Sequence, residues 1–87
     1  MSNQFDPHLH ILRSIIRALP EARMKQESLE ARSKLYIALE SGKLDQAVAW
    51  ATALRLALVS AGEQGVNREL IDGGLAALKI IEEGITK

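Results

Sequence analysis

The sequence predicts an all-α fold: a small four-helix bundle of antiparallel helix hairpins, with the third helix central. Three observations predict it. Apolar residues recur at spacings of three and four, and no run alternates as a half-buried strand would. Pro20, Gly42 and the Gly62/Gly65 pair punctuate that pattern into four segments. Residues 44–61, LDQAVAWATALRLALVSA, hold thirteen apolar residues in eighteen. A helix that is apolar nearly all round must be covered on most sides. In so short a chain that means a central helix or a subunit interface.

The first helix is expected near 7–19. Asp6-Pro7 opens it, because Asp accepts bonds from free backbone N–H groups and Pro at the first position sacrifices none. Residues 1–5 read as a flexible tail. Leu9, Ile11, Leu12, Ile15, Ile16 and Leu19 cover an arc of about 160°, and His10, Arg13, Ser14 and Arg17 lie opposite. Pro20 ends this helix by clashing with the preceding turn. The second helix is expected near 21–41. Met24, Ser28, Ala31, Leu35 and Ala38 repeat in steps of four and three, a narrow coiled-coil-like seam. Glu21/Lys25 and Glu30/Lys34 are acid-before-base pairs one turn apart. Gly42 stops the helix.

The third helix is expected near 45–61 and closed by Gly62. Its broad stripe is Ala47, Trp50, Ala51, Leu54, Ala57, Leu58 and Ala61, with Val48/Val59 and Leu56/Ala49/Ala53 as further apolar patches. The fourth is expected near 68–83. Asn67 is its N-cap, Val66 with Ile71 its hydrophobic staple, and Gly84 its stop. Gly73-Gly74 costs about 1 kcal/mol per residue relative to Ala. Gly74 lies mid-stripe, which implies a close crossing, with the Ala-rich third helix the expected partner.

Composition bounds the function. Eighty-seven residues make one domain, 1–87, with modest burial, for which oligomerisation is a usual remedy. Eleven Lys and Arg balance eleven Asp and Glu. Residues 1–34 carry six basic and four acidic groups, and residues 35–87 carry five and seven. That asymmetry is too small to argue for nucleic acid or an anionic membrane. Cysteine is absent, which excludes disulfides and thiolate chemistry. The polar N-terminus lacks a secretory pattern, and Arg55 interrupts the most apolar run. The expectation is a cytoplasmic protein without a membrane span.

Catalytic and metal chemistry find little material. In Asp6-x-His8-x-His10 the two histidines point about 200° apart on a helix, so they do not converge on one ion. No serine has a positioned base, and no glycine-rich phosphate loop is present. The expectation is no enzyme, no metal and no cofactor.

Two short stretches resemble known motifs. Residues 38–47, ALESGKLDQA, resemble the inter-helix turn of a tetratricopeptide repeat: a small residue ends one helix, Gly turns, and an acidic residue precedes Ala. No second copy follows at a period near 34, so the resemblance implies an antiparallel helix pair only. Ala61, Gly65, Val66, Asn67 and Ile71 resemble the turn of a DNA-binding helix-turn-helix. Gly62 and Gln64 depart from that pattern, and the would-be recognition helix RELIDGG holds one Arg and two acids.

The expected function is a small non-enzymatic protein–protein interaction module, an adaptor, chaperone-like subunit or inhibitor, acting through helix-face contacts. Its partner is another protein. Arg13 and Arg17 are expected at a polar rim, with Tyr36 and Trp50 as anchors. Trp50 also fits plain core packing. Arg55, set among Val48, Leu58 and Val59, must snorkel or pair with an acid. Self-association as a homodimer is expected through Val48, Leu56 and Val59, with Ile80 a further member. The alternative is a helix-turn-helix-like DNA-binding regulator using residues 61–75. A third option is a ligand-sensing bundle with an apolar pocket.

Overall fold

The computed structural model describes residues 4–86. Among them four helices form: α1 (Asp6–Arg17), α2 (Ala22–Glu40), α3 (Leu44–Glu63) and α4 (Arg68–Ile85), with no strand. They pack as a small four-helix bundle in the cyclic order α1–α2–α3–α4. Among the described residues the diagonal pairs α1/α3 and α2/α4 make no backbone contact. Short links, 18–21, 41–43 and 64–67, force successive helices to run antiparallel. The closing pair is antiparallel too, since Phe5 lies against Gly84 while Ile15 lies against Gly73 and Gly74.

The core is built from aliphatic stripes. Leu9, Leu12 and Ile16 of α1 meet Leu35 of α2, Leu54 and Leu58 of α3, and Leu78 and Ile81 of α4, all essentially without solvent contact. Each such side chain contributes roughly 1.5–3 kcal/mol on leaving water. The seam of α2 is as the spacing predicts: Ser28, Ala31, Leu35 and Ala38 are buried and Met24 packs at its margin. The central position of α3 consists in its being held between α2 and α4. It is not enclosed, and α4 buries six residues to its five.

Two glycines set the turns. Gly42 (φ +71°) lets the Lys43 N–H reach the Ala38 carbonyl at 3.0 Å while its own N–H reaches Leu39 at 3.3 Å. Gly65 (φ +96°) repeats the pattern, with Val66 N–H on Ala61 at 3.2 Å and Gly65 N–H on Gly62 at 3.1 Å. This left-handed closure satisfies carbonyls at the helix end and favours glycine. It also corrects the expected end of α3. Gly62 stays helical and the helix runs to Glu63, because the turn is made at Gly65. Asn67 caps α4 as predicted, its Oδ1 accepting from Glu69 N–H at 2.8 Å and Leu70 N–H at 3.4 Å.

Other boundaries move for identifiable reasons. Gly84 is not a stop, and α4 continues to Ile85, because the Phe5 ring lies where a Gly84 Cβ would stand. Asp6 is the first helical residue of α1 and Phe5 holds the cap position, the Phe5 carbonyl accepting from His8 and Leu9. Of the tail expected over 1–5, residues 1–3 lie outside the described residues and Phe5 is buried. α2 begins at Ala22, two residues beyond Pro20. The Glu21/Lys25 and Glu30/Lys34 pairs are not among the ion pairs of the described residues. Glu21 has extended backbone at the cap, out of helical register, and Arg23–Glu27 pairs instead at 3.1 Å.

Candidate functional site

Two surfaces of the bundle differ in chemistry. The first is the outer face shared by α3 and α4. On α3, Val48 and Val59 lie within about 20° of each other around the helix, and Leu56 lies about 60–80° further round. All three are exposed, Leu56 at 62%. Their position follows from the core stripe of Ala47, Ala51, Leu54, Leu58 and Ala61, which leaves the opposite side of an almost wholly apolar helix uncovered. Beside Val59 a cleft of about 280 Å³ opens between the helices, floored by Gly62, Val66, Ile71 and Leu75 and edged by Glu63, Arg68 and Asp72.

Most charges around this face are paired within the chain, and Glu63 is not among the ion pairs of the described residues. Arg55 crosses to Glu82 at 3.8 Å, the ion pair its apolar surroundings call for. On α4, Arg68 pairs with Asp72 at 3.9 Å and Lys79 with Glu83 at 4.0 Å. Such exposed pairs contribute little to stability. With Glu63 the rim carries one negative charge in excess.

The second surface is the cleft between α1 and α2, about 380 Å³, lined by Asp6, Leu9, His10, Arg13, Arg32 and Tyr36. Arg32 Nε–H donates to the Leu9 carbonyl at 2.8 Å, a bond from α2 to the backbone of α1 that fixes the guanidinium. Burial, reinforced by the positive charge of Arg13, holds Arg32 below the ordinary arginine range, and Tyr36 works against that shift. The Glu40 carboxylate, with lesser help from burial and Asp6, raises the Tyr36 phenol above its ordinary value. Tyr36 therefore stays protonated across the physiological range, its hydroxyl donating to the Glu40 carboxylate.

The sequence-predicted residues sort onto these surfaces. Arg13 and Tyr36 come together in the α1/α2 cleft, and exposed Arg17 stands one turn beyond Arg13. Trp50 is half-buried and packs against the core. Arg55 belongs to the α3/α4 face with Val48, Leu56 and Val59. Ile80 does not join them. It is exposed on the flank of α4 that carries Gly73 and Gly84, which is the side facing α1. Arg32 was not anticipated. Its signal is its place next to the seam residue Ala31 and one turn before Tyr36, but that reads as functional only once α1 is known to lie alongside.

Among the described residues no group of three or more His, Cys, Asp or Glu is placed to hold a metal ion, and no helix is long and apolar enough to cross a membrane. No protein-family model, curated protein or solved structure matches the chain.

Proposed function

We propose that this chain is a non-enzymatic protein–protein interaction module that self-associates as a homodimer through the α3/α4 face and serves a second protein as adaptor, chaperone-like subunit or inhibitor. The observation that carries the reading is the set of exposed aliphatic side chains Val48, Leu56 and Val59 on the outer side of α3, with Val59 at the α3/α4 cleft. Exposed aliphatic side chains rimmed by polar groups are a mark of interaction sites. A second copy is the favoured occupant because all but Glu63 of the rim charges are internally paired, so two such faces meet with little net repulsion. The basic α1/α2 side lacks that property.

The nucleic-acid alternative gains nothing from the geometry. α4 is packed against α1 and α3, and its Arg68 is already paired with Asp72. Phosphate contacts dominate such affinity, and this surface offers few.

Sedimentation equilibrium tests the reading. The expected weight-average mass at roughly 100 μM lies between about 1.5 and 2 times the 9.5 kDa of one chain for any Kd up to about that concentration. Val59→Glu is expected to give a monomer with unchanged helical circular dichroism. A monomeric parent protein at that concentration would overturn the dimer, and a dimeric Val59→Glu would overturn the site.

A further inference from the structure

We propose that the α1/α2 cleft binds a doubly charged oxyanion, the phosphate group of a small molecule, between the guanidinium groups of Arg13 and Arg32. This inference is independent of the homodimer. It starts from an arrangement that folding alone does not favour. Arg32 is partly buried and the exposed Arg13 lines the same open cleft, so two like charges face one space. Among the described residues neither has a carboxylate within 4.0 Å, which is also true of Arg17, Lys25, Lys34 and Lys43. Partly buried cations are normally paired. An anion between these two would remove the repulsion.

The donors are also organised. The Leu9 carbonyl takes one of the five N–H groups of Arg32 and holds the planar fork in place. Four N–H groups are left for the cleft. A fixed guanidinium fork matches the oxygen spacing of phosphate, and recognition of that group is what arginine does better than lysine. Two guanidiniums match a dianion better than a single carboxylate. His10 adds a polar ring at the wall.

Asp6 lines the cleft as well and has interactions of its own. Asp6 and Glu40 both act on the Tyr36 phenol, and Arg32 acts on it in the opposite sense. The cleft, about 380 Å³, is larger than one phosphate and has room for the small group attached to it.

The test is titration of the full-length ¹⁵N-labelled protein with sodium phosphate and with methyl phosphate, against sodium chloride at matched ionic strength. The arginine Nε–Hε correlations are followed with the backbone. The expected result is saturable shifts at Arg13 and Arg32 and in the Leu9 and Tyr36 amides, with chloride silent. Arg13 is exposed, so Arg13→Gln tests the site without threatening the fold, and it is expected to weaken binding at least tenfold. Arg32→Lys, which keeps the charge and loses the fork, is expected to weaken it too. Methyl phosphate saturating more tightly than inorganic phosphate assigns the site to phosphomonoesters, and the reverse order assigns it to the free ion. Shifts that follow ionic strength alone, or an unchanged affinity in Arg13→Gln, would overturn the proposal. So would a hexaglutamate peptide that saturates the same resonances more tightly than either phosphate, which would assign the cleft to an acidic segment of another protein.

Discussion

Gly73 and Gly74 are neighbours in α4, yet a methyl group added to each meets different surroundings. At Gly73 it would stand 3.5 Å from Ile15 Cδ1, an ordinary contact at an exposed position. At Gly74 it would stand 3.2 Å from Leu58 Cδ1 and 3.4 Å from Ile15 Cγ2, and Leu58 is fully buried with nowhere to move. Helix propensity favours Ala by about 1 kcal/mol at both. Overpacking a well-filled core costs about 1–3 kcal/mol. Gly73→Ala is therefore expected to stabilise the fold by about 0.5–1 kcal/mol, and Gly74→Ala to destabilise it by about 1 kcal/mol. Thermal melts by circular dichroism check this, and shifts of the same sign would refute the packing argument. The close crossing at Gly74 was legible because the glycine sits in an apolar stripe. That it touches both α1 and α3 was not, since a stripe shows that something approaches and not which helix does. Arg32 was hidden for the same reason: it reads as one more charge on a polar helix until the Leu9 carbonyl is brought to it.

Helix boundaries were legible where backbone chemistry alone decides them. Gly42 and Asn67 act through their own conformation and side chain, and both stand where the sequence places them. Gly84 fails that logic because a distant residue decides its role. A Cβ there would stand 2.5 Å from Phe5 Cε1 and 2.6 Å from Cζ, so the glycine makes a seat for the ring and the last turn of α4 survives. Gly84→Ala is expected to cost about 1–2 kcal/mol, because it displaces Phe5 from its buried position. Phe5→Ala is expected to cost about 2 kcal/mol, below the 3–5 usual for a core Phe because the site lies at the end of the bundle. In the Phe5→Ala background the Gly84→Ala change is expected to become neutral or stabilising, as the propensity of Ala then acts unopposed. Urea denaturation of the four proteins measures that coupling. Additive effects would show that the ring and the glycine do not depend on one another.

At the scale of the molecule, surplus apolar surface and a complete fold coexist. The radius of gyration is 12.0 Å, about the value expected for a compact domain of this length. Among the described residues the four helices already enclose one continuous core of eighteen buried apolar residues. The reading of 44–61 as a run needing cover on most sides holds only in part. α2 and α4 cover one side, while Val48, Leu56 and Val59 stay exposed. Whether such a face belongs to a subunit interface is beyond the reach of periodicity, which registers an apolar side chain and not what lies against it. The two possibilities separate on dilution. Obligate homodimers lack a stable folded monomer, so helicity falls as they dissociate. Here the core is closed within one chain, and the face proposed for self-association contributes none of the fully buried side chains. The expected outcome on dilution from about 100 μM to about 1 μM is a falling weight-average mass with constant ellipticity at 222 nm and a melting temperature that changes only slightly, by the mass-action term. A helical signal that falls in step with the mass would mean that the second copy completes the fold. The α3/α4 face would then be part of the core rather than a surface open to a partner.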